Sequence, residues 1–190
     1  MRKINHVGTI KIETPRLILR RLELSDTEAV HKNWGADPEV YHYMTSSIMP
    51  NLSDVERFIR LKLRAYQSLL TYYWAVVPKA VLECVGMTTI TEVSGRSGNL
   101  AYTLGSNWQG KGYATEAAIA ILELMFDTVN MHVIYGSHFT PNESSGRVLI
   151  RAGMIKTGEA MGPVRHRNEN LTYEDYMITA RMWQKRKKPG

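Results

Sequence analysis

Between residues 11 and 21, apolar side chains at Ile12, Leu17 and Leu19 alternate with charged and polar neighbours. That is the two-residue period of a strand with one buried face, so residues 11–21 are expected to open the fold as a strand. The period then lengthens. Ser25-Asp26-Thr27-Glu28 has the form of a capping box and predicts a helix toward Trp34. Ser53-Asp54-Val55-Glu56 repeats the form, and Ile59, Leu61 and Leu63 carry a second helix to about Ser68. Residues 72–77 and 81–91, with their β-branched and aromatic side chains, read as two strands joined at Pro78-Lys79-Ala80. Residues 99–104 form a short fourth strand. The apolar stripe Ile119, Leu122, Met125 and Phe126, with Glu116 in the first turn, marks a helix over residues 116–130. Residues 132–138 return as a strand. Asn142 caps a helix that Gly153 stops. Two strands, near 155–161 and 172–182, complete a mixed α/β arrangement.

Length and composition narrow the class. At 190 residues, 44% of them apolar, the chain suits one domain able to bury most of what unfolding exposes. Residues 1–184 are expected to form it, with 185–190 as a basic C-terminal tail. No apolar run approaches the ~18 residues of a membrane span. Arg2 and Lys3 are followed by no long apolar stretch, so neither a membrane segment nor a signal peptide is expected and the expected location is the cytoplasm. The one cysteine, Cys84, excludes an internal disulfide framework and, in its apolar setting, reads as a core residue. The net charge of +6 raises nucleic acid as a partner, yet Lys185, Arg186, Lys187 and Lys188 supply four of those charges and leave +2 for residues 1–184. No nucleic-acid-binding motif accompanies that solvated end.

The segment Trp108-Gln109-Gly110-Lys111-Gly112-Tyr113-Ala114-Thr115-Glu116 changes the picture most, because a glycine-rich turn opening a helix can hold phosphate. Three patterns compete for it. The P-loop pattern G-x-x-x-x-G-K-[ST] is met by Gly105, Gly110 and Lys111 but finds glycine at 112, where the Mg²⁺-binding hydroxyl belongs. The dinucleotide pattern G-x-G-x-x-G starts at Gly110 and Gly112 and then meets Thr115 instead of a third glycine. The pattern Q-x-x-G-x-A is satisfied by Gln109, Gly112 and Ala114.

That last pattern resembles the pyrophosphate-binding signature of the GNAT N-acetyltransferases, and the likeness runs along essentially the whole chain. Glu13-Thr14-Pro15-Arg16-Leu17-Ile18-Leu19-Arg20, Asp37-Pro38-Glu39-Val40 and Tyr72-Tyr73-Trp74-Ala75 resemble segments of the subgroup that includes the ribosomal-protein-alanine N-acetyltransferases. Asn142-x-x-Ser145-x-x-Val148 with Gly153-Met154 resembles its second cofactor-side helix, although Gly146 and Met154 depart from the usual pattern. The resemblance implies a GNAT fold, α/β (α+β), with a mixed central sheet of about seven strands splayed between the fourth and fifth and flanked by about four helices. It also implies acetyl-CoA as cosubstrate, without a metal, and direct attack by an amine in a ternary complex. By the same resemblance Gln109, Gly110, Lys111, Gly112, Tyr113 and Ala114 would hold the pyrophosphate and Thr103, Leu104 and Gly105 the pantetheine, with Thr115 also on the cofactor. Asn142 would touch the cofactor arm, and Ser145 would serve the departing sulfur.

Each of these residues has a plainer reading. Ser145 is a polar residue in a first turn, Asn142 a cap, and Lys111 a solvated cation. Tyr72, Tyr73 and Trp74 suit a core, and His132 and His138 lack a third ligand at metal spacing. One departure bears on mechanism. Many relatives carry an acid in the fourth strand that is nominated as general base, where this chain has Asn99. An amide takes no proton from an amine, so Glu92, Glu83 and Glu159 become the candidate bases, beside water. An α-amine with pKa near ~8 is already partly neutral at neutral pH, whereas a lysine near ~10.4 is not, so the missing acid favours an α-amine or another weakly basic amine. Arg165 and Arg167, between the last two strands, would welcome an acidic acceptor and repel a polyamine. Two readings from other classes stay open: an acyl-CoA-binding module with little catalysis, and a ribosome- or RNA-associated protein using its tail. The expected assembly is a monomer or homodimer.

Overall fold

The computed structural model describes residues 3–44, 47–164 and 169–187. The opening segment folds as a hairpin instead of one strand, with β1 (Ile12–Glu13) antiparallel to β2 (Leu17–Arg20). The turn is set at Thr14: its N–H donates to the Leu17 carbonyl at 3.0 Å, and its hydroxyl accepts the Leu17 N–H at 2.9 Å. The following helical segment comprises α1 (Thr27–Val30), a π-helical turn (His31–Gly35) and α2 (Pro38–Tyr41). Its cap differs from expectation: Glu23 and Asp26, not Ser25 and Glu28, form the box, because two hydrogen bonds of 2.7 Å from Arg20 hold the Asp26 carboxylate under the chain. Helix α3 (Leu52–Ala65) is capped by Asn51, which accepts the Asp54 N–H at 3.0 Å, two residues ahead of the expected Ser53 box.

Strand β3 (Tyr72–Pro78) pairs with β4 (Gly86–Ser94). The expected strand at 81–91 starts late, because Leu82 adopts φ 58° in a turn whose N–H bonds the Pro78 carbonyl. The fourth expected strand is β5 (Ser97–Leu104), followed by α4 (Tyr113–Glu123) and a π-helical turn (Leu124–Thr128). Then come β6 (Val133–Phe139), α5 (Glu143–Arg151), β7 (Ile155–Val164) and β8 (Glu169–Thr179). Strand β8 was expected to run to Met182, but from Ala180 the chain is helical, as α6 (Ala180–Lys187). Trp183 explains the switch: it is 2% exposed and stacks near Phe126, which a helical turn reaches and a continued strand would not.

The strands make one eight-stranded sheet in the order β1-β2-β3-β4-β5-β6-β8-β7, one strand more than expected because of the opening hairpin. Side-chain alternation sends Tyr72, Trp74, Ile90, Leu100 and Ile134 to a core beneath α4, α5 and α6. The other face buries Ala75, Val77 and Cys84 against Val30, Trp34, Val55 and Ile59. Cys84 is fully buried, its thiol pushed up to about 12 by that burial. Among the described residues no helix is long and apolar enough to cross a membrane.

Candidate active site

The sheet opens between β5 and β6, the fourth and fifth strands of the sequence reading. Their parallel pairing covers only Ser97–Val133, Gly98–Ile134 and Asn99–Tyr135. Beyond it β5 runs to Leu104 with a neighbour on one side alone. The direction of its backbone groups follows from the antiparallel partner. The Gly105 N–H bonds the Val85 carbonyl at 3.0 Å, and register then alternates. Residues 99, 101, 103 and 105 therefore address β4, while Tyr102 and Leu104 address the gap. Thr103, expected along a pantetheine, has its backbone groups turned to β4 instead, and of Gly105, expected there too, the N–H bonds Val85 while the carbonyl accepts the Trp108 N–H at 2.8 Å. The groups of Tyr102 in the middle of a sheet lack a strand partner, as an amide-bearing ligand laid in the gap requires.

At the end of β5 lies the glycine loop. Gly110 (φ 73°) and Gly112 (φ 79°) both adopt the left-handed conformation that glycine tolerates, and the second leads straight into α4. Inside the helix the first bonded N–H is that of Glu116, to the Gly112 carbonyl at 3.0 Å. Tyr113, Ala114 and Thr115 precede it, in the turn where N–H groups have no intrahelical partner and an anion is favoured. Gln109 closes the loop by donating from Nε2 to the Leu104 carbonyl at 3.1 Å. The Lys111 ammonium lies over the Trp108 ring at 4.5 Å, and Trp108 donates to Asn33 Oδ1 at 3.2 Å.

The opening hairpin braces this loop. Glu116 accepts from the Thr14 hydroxyl at 2.6 Å, from the Arg16 backbone N–H at 2.9 Å and from Arg16 Nε at 2.6 Å. Arg16 Nη1 also donates to the Lys111 carbonyl at 2.9 Å. Partial burial raises the Glu116 pKa, but these donors outweigh it and hold the carboxyl below its ordinary range. On the other flank Asp37, which caps α2, accepts the Ser106 N–H at 3.1 Å.

Helix α5 supplies the second wall. Asn142 caps it, with Oδ1 accepting the Ser144 hydroxyl at 2.9 Å and the Ser145 N–H at 3.3 Å. Ser145 reaches back to β5, where the Tyr102 hydroxyl lies 2.7 Å from its carbonyl oxygen and 2.9 Å from Oγ. Gly146 is needed for close approach: a Cβ there would collide with the His138 ring. His138 is itself buried, with Nε2 3.2 Å from Glu174. Met154 fills the core below Gly136. Both departures from the subgroup pattern thus have packing reasons.

On the face of β5 opposite α4 lies Asn99. Asn99 donates from Nδ2 to the carboxylate of Glu92, which projects from β4 at a bulge where Glu92 itself has φ 50°. Of the three candidate bases, Glu92 is therefore the one beside Asn99. Glu83 is held by Lys32 and Asn33, and Glu159 by Lys156. Tyr72 and Trp74 are core residues, as expected, while Tyr73 is half-buried on the face that α3 covers, with the Lys62 ammonium 3.9 Å above its ring. Arg165 and Arg167 lie outside the described residues. Tyr102 is the residue at the gap that sequence reasoning missed, although its place between Leu100 and Leu104 on the buried face was a usable signal. Among the described residues no three His, Cys, Asp or Glu side chains group as metal ligands.

Residues 16–155 match the family described as Acetyltransferase (GNAT) domain. The chain is 28% identical over 148 residues to the uncharacterized N-acetyltransferase p20 of Bacillus licheniformis, covering 76% of this chain and 82% of the relative. It is 25% identical over 169 residues to the [ribosomal protein uS5]-alanine N-acetyltransferase of Escherichia coli K12, covering 82% and 84%. Among solved structures, an acetyltransferase (GNAT family) from Bacillus anthracis superposes with a TM-score of 0.79 at 25% identity, over 90% of this chain and 99% of that one.

Proposed function

Because the chain belongs to the acetyltransferase (GNAT) domain family, whose donor is acetyl-CoA, we propose that it acetylates the α-amine of a peptide or protein N-terminus on the open face of the gap. The amine attacks directly, with both substrates bound. The observation that carries the reading is the opening between β5 and β6, bordered by the glycine loop, by Ser145 and by the Asn99–Glu92 pair. Acetyl-CoA supplies an activated thioester; the chain's residues do the rest. The loop N–H groups and the end of the α4 dipole suit the pyrophosphate. The unpartnered N–H of Tyr102 suits the polarised thioester carbonyl, where a fixed donor stabilises developing charge. Ser145 suits the departing sulfur, and Asn142 orders the turn that presents it.

The acceptor follows from the base. Glu92 lies exposed beside Asn99, so it or a water there can take the amine's proton. An α-amine near pKa ~8 asks little of it, and a lysine near ~10.4 asks far more. The activity for which the E. coli relative is named, alanine N-acetylation, agrees with that choice.

Thermal unfolding with acetyl-CoA, ATP and NAD tests the donor, since ligand at a hundred times its Kd adds about 2.7 kcal/mol of stability. Stabilisation by acetyl-CoA alone is expected. Thiol release with N-terminal alanine peptides beside Nα-blocked lysine peptides tests the acceptor. A lysine side chain acetylated with the higher kcat/KM would overturn the α-amine assignment and leave the donor chemistry standing.

A further inference from the structure

Tyr102 sits where the gap, the buried face and α5 meet. Its backbone faces the gap, and its ring joins the core residues packed between Leu100, Leu104 and α5. Its hydroxyl ends 2.7 Å from the Ser145 carbonyl oxygen and 2.9 Å from Ser145 Oγ. A phenol has one proton to donate. When that proton lies on the carbonyl, the 2.9 Å contact is completed by Ser145 Oγ–H donating to the phenol oxygen. When the phenol proton swings to Oγ, the Ser145 hydrogen is released to point elsewhere. Rotation of two hydroxyls interconverts the arrangements with every heavy atom in place.

We propose that Tyr102 is a positioning residue for Ser145, turning the serine hydroxyl toward the CoA sulfur as that sulfur departs. The inference rests on the acetyl-transfer reading above. In the step concerned the amine nitrogen forms the C–N bond, the C–S bond breaks, and its electron pair leaves on sulfur. The surplus amine proton goes to Glu92 or water. The Tyr102–Ser145 pair gives up no proton; it donates a hydrogen bond to the thiolate. Burial pushes the Tyr102 phenol well above its ordinary value, so it persists as a neutral donor across the working pH range.

Tyr102→Phe removes the hydroxyl and keeps the ring. The first readout is calorimetric affinity for CoA beside desulpho-CoA, from pH 7 to pH 9. A thiol near ~8.5 whose bound pKa falls by one unit gains about sixfold in affinity across that window. Wild-type protein is expected to show this gain for CoA and not for desulpho-CoA. Tyr102→Phe and Ser145→Ala should both lose it while binding desulpho-CoA as wild type does. In turnover each variant should lower kcat about tenfold or more with KM for acetyl-CoA within about twofold, and the double variant should be no slower than Ser145→Ala. Weaker desulpho-CoA binding by Tyr102→Phe would mean a strut between β5 and α5 and would overturn the proposal. So would a retained pH gain, or losses in kcat that add in full. If wild type neither binds CoA nor turns over acetyl-CoA, the acetyl-transfer reading falls and this inference with it. An active wild type matched by Tyr102→Phe overturns this inference alone.

Discussion

At the scale of single residues, Asn99 and Gly146 show how a departure from a family pattern is absorbed by its neighbours. Asn99 replaces an acid but donates to one, and the acid comes from the next strand at a bulge. Glu92→Gln should therefore lower kcat for an α-amine acceptor about tenfold at pH 7. The loss should narrow above pH ~8, where most of the amine is already free and only the surplus proton of the attack remains to be taken up. A rate–pH profile of both proteins checks this, and equal rates at pH 7 would remove Glu92 from the mechanism. Gly146 stands where the His138 ring leaves no room for a Cβ. Because that ring is buried and hydrogen-bonded, it cannot step aside, and Gly146→Ala should cost about 1–3 kcal/mol in urea unfolding. Only the contact with His138 reveals the reason. From sequence the glycine looked like a weakness in a cofactor helix.

At the scale of elements, the opening hairpin acts as a brace for a loop almost a hundred residues away. Arg16 joins Glu116 in the first turn of α4 to the Lys111 carbonyl, and its guanidinium lies 5.0 Å over the Tyr113 ring. Arg16→Ala should loosen the glycine loop and weaken acetyl-CoA binding about tenfold, near 1.4 kcal/mol. Arg16 is half exposed, so global stability should change by less than about 0.5 kcal/mol. Calorimetry beside thermal unfolding separates the two effects. A second joint ties β6, β7 and β8: Lys156 and Tyr176 donate to Glu174 at 2.9 and 2.7 Å, with His138 Nε2 at 3.2 Å. The Lys156 hydrogen bond first, then that of Tyr176, holds the Glu174 carboxyl down at about 2. With an unfolded value near ~4.3, the unfolded chain binds more protons between these limits. The stabilisation is complete above pH ~4.3 and is lost as pH falls toward 2. Glu174→Gln should be less stable at pH 7, with a flatter stability profile below pH 4, as urea unfolding at pH 7, 4 and 3 would show. Local chemistry announced most of these elements, because periodicity and caps act over a few residues. It misplaced their ends where a distant partner decided them. Arg20 set the cap at Asp26, and the site for Trp183 ended β8.

At the scale of the whole molecule, two cores flank one sheet, and the C-terminal helix closes the larger of them. The segment that looked like a frayed basic end is, up to Lys187, a helix docked on α4 and the turn behind it. Lys187 pairs with Glu123 at 2.6 Å and with Asp127 at 2.5 Å. Truncation before Ala180 removes Trp183 from its buried place and should cost about 3–5 kcal/mol in urea unfolding. A chain that loses less than about 1 kcal/mol would show that α6 is dispensable to the core.

By itself the sequence determined the local chemistry: alternating strands, an acidic first turn on α4, and a glycine loop able to present free N–H groups. Those features depend on residues within one or two turns of each other, and the family resemblance rests on the same short motifs. Only the tertiary structure decided which distant groups meet. Glu92 reached Asn99 through a bulge, Arg16 reached the glycine loop through a hairpin, and Tyr102 reached Ser145 across a gap. The spacing of residues in sequence carries no record of such contacts, because register between strands and the seating of helices set them. A candidate site made of side chains from β4, β5, α4 and α5 therefore takes its final form only when the sheet has formed around the gap between β5 and β6.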